Sequence, residues 1–416
     1  MLGFTALGRA EPLLFLAVRP WVLLLAALCA AAWPWRERFG LYAAALTLAA
    51  AAETILVLAL GAADPWPGLL RGLAAGLLVA LIADAIVQIL TRWHRWLGRA
   101  AALLLLGGLI FLWSGTRPYE ALLLGPWDEA ETGGPRPALL LMTQLPIVWG
   151  AGGAFDPNSR PAETYKALER EFAVAPLDAL EPRSLTGGRL ILIAQPRLLA
   201  PEELVALDDW VRSGGRVLVL TDPHLAAAER MEAGNVARPP LAGLLAPLLR
   251  HWGLRLDPRP PGARPAFVAG RRLGLDSPGW FAVSGTACRI VGAAWMARCR
   301  IGRGEALLVA DADLLTDESW APGGSARHLR TADNPLIVAD WLDGLAGVRR
   351  ARIGRHVDWI RPGTDIRAAL LLAALPLALA LVAGLALLRR ARRSPTSLST
   401  GTSTENSART NDLQDP

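Results

Sequence analysis

Five apolar stretches divide this chain into membrane and soluble regions. They cover residues 12–33, 40–61, 70–90, 100–116 and 367–388. About 20 consecutive apolar residues cross a bilayer as a helix, so each stretch is predicted to be a membrane span. The resulting parts are an N-terminal membrane region at 1–116, a soluble domain at 117–366, a C-terminal span at 367–388 and a basic, then disordered, tail at 389–416.

Arginine clusters predict the orientation of these spans. Arg92, Arg95 and Arg99 lie between the third and fourth stretches, and a second cluster at 389–393 follows the last stretch. Because basic residues stay on the cytoplasmic side, the domain at 117–366 is predicted to be periplasmic on a bacterial inner membrane, with lipid as a partner. The clusters also explain the net charge of +6, so nucleic acid is not expected as a partner.

The segment Gly188–Pro223 predicts the fold of the soluble domain. Two short apolar runs, 190–194 and 216–220, flank a stretch in which apolar residues recur at helical spacing. Pro201 suits a first helical turn, and the glycines at 214–215 suit a helix end. The order strand, helix, strand indicates a parallel βαβ unit.

Similar runs elsewhere extend this unit to a whole domain. Helices are predicted at 162–172, 241–252 and 335–345, and a hairpin at 285–301, whereas 253–279 is predicted to be loop with at most short strands. The sequence therefore predicts α-helical membrane spans plus an α/β doubly wound, flavodoxin-like soluble domain with a late antiparallel edge.

Four motifs in this domain resemble a known family. They are the pattern Pro-x-x-Leu-x-x-Glu-Glu-Leu at 196–204, the run WVRSGGRVLVLTDP at 210–223, GRGEALLVADAD at 302–313 and DNPLIVADWLDG at 333–344. Over residues 136–347 the chain resembles membrane-anchored relatives of the GldG-type accessory domain, which belong to uncharacterised ABC transport systems. The resemblance implies a class I glutamine-amidotransferase-like fold and an ATPase partner. The catalytic Cys of amidotransferases has no counterpart, because Gln195 and Asp222 stand at the strand ends.

Polar residues follow the predicted strands where an open α/β sheet binds ligands. These candidate ligand-binding residues are Thr143, Gln144, Gln195, Asp222, His224, Asp311 and Asp313. Carboxylates after strands also commonly cap turns, and that alternative stays open. A calcium loop is a weak match, since Asp317 and Glu318 continue the acidic run without the glycine and terminal glutamate of such loops. The sequence contains no zinc, P-loop or serine-hydrolase motif, so no catalytic residue, metal or cofactor is predicted.

Two further pairs are predicted. In a symmetric hairpin around residues 292–295, Cys288 lies opposite Cys299 in a non-hydrogen-bonded pair, where a disulfide is possible; two buried free thiols are the alternative. Arg19 and Glu53 are predicted to lie at matched depth in the bilayer and to form an ion pair, unless the first span begins after Pro20.

Three functions remain compatible with these features. The favoured one is a non-catalytic accessory or assembly module that binds a partner or ligand, for an ABC-type or MoxR-type ATPase system supplied by other chains. The second is a membrane-anchored hydrolase or transferase that uses Asp222 and His224. The third is a sensor of a periplasmic ligand. The sequence contains no activated nucleophile, which disfavours the second.

Overall fold

The computed structural model describes most of the chain. The described residues are 8–9, 23–24, 26–28, 33–61, 66–91, 95–114, 136–150, 152, 157–235, 237–260, 262–321, 330–348, 350, 357, 359–361 and 363–393. The helices are α1 (Trp35–Ala59), α2 (Trp66–Thr91), α3 (Arg95–Ser114), α4 (Glu163–Glu171), α5 (Pro182–Leu185), α6 (Pro201–Arg212), α7 (Ala226–Glu229), α8 (Ala246–His251), α9 (Asn334–Ala346) and α10 (Ile366–Arg393). The strands are β1 (Ala138–Thr143), β2 (Ala173–Pro176), β3 (Leu190–Ala194), β4 (Arg216–Leu220), β5 (Leu254–Asp257), β6 (Ala263–Val268), β7 (Arg271–Asp276), β8 (Trp280–Val283), β9 (Cys288–Ile290), β10 (Met296–Ile301) and β11 (Gly304–Val309).

Helices α1, α2, α3 and α10 form a helical bundle. By length and composition, α1 and residues 366–383 of α10 are able to cross a membrane. The C-terminal end of α1 packs against the N-terminal end of α10, where Leu56 and Leu60 meet Ala369 and Ala373. Most of the predicted span 12–33 lies outside the described residues, but 23–24 and 26–28 are helical and pack against the bundle.

The soluble domain is a mixed α/β fold around a mostly parallel sheet. Its seven strands lie in the order β2-β1-β3-β4-β11-β10-β9. The first five are parallel, and β10 and β9 form an antiparallel edge. The parallel strands follow the order of flavodoxin-like sheets: β2 is added on one side of β1, and β3, β4 and β11 are added on the other side.

The burial pattern of its strands and helices explains why the sheet forms the core of the domain. Every residue of β3 is buried, as expected for a parallel strand covered on both faces. Helix α6 buries Leu207 and Val211 and packs on β10 and β11, whereas α9 packs against α4, β4 and β11. The approach of α6 is close: a Cβ at Gly304 would lie 2.0 Å from the carbonyl oxygen of Val211. Only glycine fits there.

Two local predictions differ from the structure in extent. The region 253–279, predicted to be loop with at most short strands, contains β5, β6 and β7; β6 pairs antiparallel with β7, and β5 pairs antiparallel with β8, which follows this region. The predicted helix at 241–252 is reduced to Ala246–His251, because backbone groups before it are used elsewhere. The Leu225 N–H donates to the Leu241 carbonyl at 2.7 Å, and the Gly243 N–H donates to the Asp222 carbonyl at 2.6 Å.

A short segment connects the soluble domain to the bundle. The Trp359 indole Nε1 donates to Asp333 Oδ2 at 2.6 Å, just before α9 begins. The next residue pairs with the N-terminal segment, since the Ile360 N–H donates to the Gly8 carbonyl at 2.9 Å. The Arg361 N–H then donates to the Leu60 carbonyl at the end of α1. We call residues 357–361 the joint.

Candidate functional site at the carboxyl edge of the sheet

The carboxyl edge of the sheet is organised around Gln195. This residue follows β3 directly, is fully buried and has a positive φ of 40°, a conformation that is uncommon outside glycine. Its Oε1 accepts from the Asp222 N–H at 2.9 Å, and its Nε2 donates to the Pro240 carbonyl at 3.0 Å. The Gln144 N–H donates to its carbonyl at 3.3 Å. One side chain and its backbone therefore connect the loops that follow β1, β3 and β4.

Three buried aspartates lie beside Gln195, and each accepts two backbone N–H groups. Asp222 accepts from His224 at 2.8 Å and Ala312 at 3.2 Å. Asp311 accepts from Leu314 at 2.9 Å and from Asp276 at 2.8 Å, and Asp313 accepts from Ala226 and Ala227, both at 2.7 Å. Asp313 thereby caps α7. All three carboxylates hold turns of the fold.

Burial dominates the electrostatics of this cluster. It raises the pKa of Asp222 to about 8, with the charges of Asp313 and Asp276 adding to the effect. It raises the pKa of Asp313 to about 6 and that of Asp311 well above its usual value. The backbone donors oppose these shifts by favouring the charged forms. The raised values follow from enclosure inside the fold, since all three side chains have no exposed surface.

The other candidates do not complete a reactive group. Asp222 accepts from the backbone N–H of His224, whereas the imidazole Nε2 lies 3.1 Å from Glu229 Oε1. Thr143 Oγ1 accepts from the Leu145 N–H at 2.9 Å. An acid–base pair between Asp222 and His224 is not assembled. Among the described residues, no group of three or more His, Cys, Asp or Glu side chains is arranged to hold a metal ion.

Sequence reasoning missed two residues that organise this edge. Asp317, considered only for a calcium loop, accepts from the Glu163 and Thr164 N–H groups at 2.9 and 3.1 Å and so caps α4. Asn334, considered only as a helix cap, donates to the Leu314 and Gly274 carbonyls at 2.9 Å. Both contacts join residues distant in sequence, so local spacing contains no signal for them.

The two cysteines face each other across β9 and β10. Cys288 pairs with Cys299, and their Cα atoms lie 4.0 Å apart, a geometry that brings the two sulfur atoms within bonding distance. The Arg300 N–H donates to the Ala287 carbonyl, so the next pair along is the hydrogen-bonded one. The disulfide remains a prediction that thiol labelling tests.

The predicted ion pair between Arg19 and Glu53 is not described, because Arg19 lies outside the described residues. A different charged group connects the bundle. Arg38 Nε donates to Asp84 Oδ1 at 3.0 Å, and the Tyr42 hydroxyl donates to the same oxygen at 2.8 Å. Asp84 on α2 is therefore held by two residues of α1.

Solved structures resemble this chain only distantly. The exo-β-1,4-mannosidase Op5Man5 from an Opitutaceae bacterium is 14% identical, with a TM-score of 0.27 over 53% of this chain and 36% of the mannosidase. A β-galactosidase from Bacillus circulans is 12% identical, with a TM-score of 0.30 over 51% of this chain and 32% of that one. A cytoplasmic protein from Salmonella typhimurium LT2 is 11% identical, with a TM-score of 0.32 over 50% and 99%. The chain spans about a third of the two glycosidases, and scores this low carry no functional argument.

The sequence comparisons match part of the α/β domain to a family. No curated protein matches this chain. Residues 136–260, which contain β1 to β5 and the Gln195 network, match the family described as an ABC-type uncharacterized transport system.

Proposed function

We propose that this protein is a non-catalytic accessory subunit of an ABC-type transport system. The match of residues 136–260 to that family carries the proposal. The chain contains no nucleotide-binding motif, so other subunits supply the ATPase and this domain binds them or a ligand. The finer resemblance to GldG-type, amidotransferase-like domains is part of the same proposal.

The non-catalytic part rests on the carboxyl edge. The strand-end carboxylates are fully buried and accept backbone N–H groups of their own fold. A catalytic acid or base has to reach a proton on the substrate. Asp222, Asp311 and Asp313 do not present an exposed oxygen for that purpose.

The proposal also places the domain in the periplasm of a multi-pass inner-membrane protein. Gly8 and Leu60 both contact the joint, which itself meets the soluble domain. Helix α1 ends at the joint and α10 begins beside it, so the start of α1 and the end of α10 lie at the opposite end of the bundle. Arginines at the start of α1 (Arg36 and Arg38), at the start of α3 (Arg95 and Arg99) and at the end of α10 fall at that opposite end, as the positive-inside rule requires for a cytoplasmic face.

Two experiments test the proposal. Affinity purification of the full chain from native membranes is expected to recover a stoichiometric transport ATPase or permease subunit. A hydrolase or transferase activity that disappears in Asp222→Ala, without such a subunit, would contradict it. Reporter fusions at Gly152 and Gly262 are expected to be active in the periplasm, and a fusion after Arg393 in the cytoplasm. The opposite pattern would refute the orientation.

A further inference from the structure

The carboxyl edge of the sheet lies at the end of the domain that meets the bundle. Helix α9 begins at this edge, because Asn334 binds the Leu314 carbonyl in the segment after β11. Trp359 binds Asp333, the residue before α9. The next two residues contact Gly8 and Leu60 of the bundle. The edge and the bundle are therefore separated by the few residues of the joint.

The path of the chain agrees with this placement. Helix α9 has 13 residues and ends at the opposite, amino edge, roughly 20 Å away at 1.5 Å per residue. The chain then returns from Gly347 to Trp359 before α10 starts at Ile366. A domain whose amino edge faced the bundle would need no such return.

Three exposed apolar side chains lie in loops at the carboxyl edge. Trp149 follows β1 and is 60% exposed, Leu198 follows β3 and is 69% exposed, and Leu241 follows β4 and is 44% exposed. We call these residues the edge triad. Their loops meet at Gln195, whose network includes Gln144 and Pro240.

Local hydrogen bonds hold the triad in place. Arg197 binds both carboxylate oxygens of Glu203 at 2.8 Å and the Asp178 carbonyl at 2.7 Å, which fixes the loop that carries Leu198. The Ser159 hydroxyl donates to the Trp149 carbonyl. The Leu225 N–H donates to the Leu241 carbonyl. The apolar side chains are thus presented on ordered loops, which reduces the entropy cost of docking.

We propose that the edge triad docks the α/β domain onto the lipid bilayer that holds its own spans. The occupant is the bilayer because the triad shares the edge that continues into the bundle through the joint. Exposed tryptophan and leucine at one edge of the sheet suit the boundary between headgroups and acyl chains. The proposal rests on the membrane anchoring stated above, and it adds that the domain has a fixed orientation on the membrane surface.

The test uses the full chain in vesicles of phosphatidylethanolamine and phosphatidylglycerol. In a Cys29→Ser background, Leu198→Cys and Trp149→Cys are labelled separately with an environment-sensitive fluorophore. Val348→Cys, after α9, and Ser213→Cys, after α6, are matched controls exposed at the amino edge. Cys288 and Cys299 are buried and do not compete for label in the folded protein.

Nitroxide-labelled lipid is expected to quench the probes at 149 and 198 by about twofold or more, and those at 213 and 348 little, since only the triad enters the interface. Equal quenching at all four positions, or none at 149 and 198, would overturn the proposal. Alkaline carbonate extraction separates the two hypotheses. A chain that resists extraction but shows no quenching refutes docking alone, whereas a chain that is extracted refutes the membrane anchoring too.

Discussion

Raising the pH from about 5.5 to about 8.5 is expected to destabilise the soluble domain. The pKa of an aspartate in an unfolded chain is about 3.9. In the folded domain the pKa of Asp313 is about 6 and that of Asp222 is about 8. The folded state therefore binds more protons over this range, and its stability falls as pH rises. The stabilisation is complete below the unfolded pKa and is lost as pH passes first the pKa of Asp313 and then that of Asp222.

The size of the effect follows from the two values. At about 1.4 kcal/mol per pKa unit, the pH change removes about 3 kcal/mol at Asp222. Asp313 contributes less than about 1 kcal/mol, because it is already partly ionised at the lower pH. Together the two groups lower the free energy of unfolding by about 4 kcal/mol over this range, and Asp311, whose pKa burial also raises, changes it in the same direction.

Urea unfolding of the full chain in detergent, followed by tryptophan fluorescence, measures this change. Trp252 and Trp295 are buried in the soluble domain and report on it. Asp222→Asn is expected to weaken the pH dependence, because it removes one of the titrating carboxyl groups, whereas Asp209→Asn, exposed on α6, should leave it unchanged. A free energy of unfolding that stays constant or rises between the two pH values would refute the reasoning.

Three further predictions concern side-chain contacts. Asp84→Ala should destabilise the bundle by about 2–4 kcal/mol, because it leaves Arg38 without its carboxylate, and this should lower the yield of monodisperse protein in size-exclusion chromatography. Adding Arg38→Met should restore the yield, and failure of that rescue would argue against the pair. Trp359→Phe should destabilise the joint by about 1.5–3 kcal/mol, because it removes the hydrogen bond to Asp333. Trypsin should then release the domain faster, and faster still from Trp359→Ala; an unchanged release rate would count against the contact. Maleimide should label Cys288 and Cys299 in the denatured protein only after reduction; equal labelling without reductant would rule out the disulfide.

The sequence predicts the sheet well because its strands are locally encoded. Short apolar runs such as Leu190–Ala194 and Arg216–Leu220 begin and end within a residue of the observed strands. The cysteine register is also predictable, since a hairpin fixes pairing by its loop length. The pairing of the short strands at 254–283 is not predictable in the same way, because glycine and proline make their apolar pattern discontinuous.

The contacts of the carboxyl edge are harder to predict. The spacing identifies Asp222 and Asp313 as strand-end residues, but it does not identify the backbone N–H groups that donate to them. Asp313 caps a helix that starts 87 residues earlier, and Gln195 reaches Pro240 across 45 residues. These partners follow from tertiary packing, so a sequence-only interpretation cannot choose between ligand binding and capping. The contacts of Asp84 with α1 are nonlocal in the same way.

The contact between Gly8 and the joint constrains the order of assembly during synthesis. Arg9 forms a bridge with Trp359 and donates from Nε to the Arg330 carbonyl at 2.8 Å, so its partners leave the ribosome more than 300 residues later. Residues 8 and 9 therefore cannot reach their final position until residues 330–360 have been translated. Truncation before residue 357 would therefore remove both α10 and the contacts that hold residues 8 and 9, although the βαβ core would keep all of its own strands.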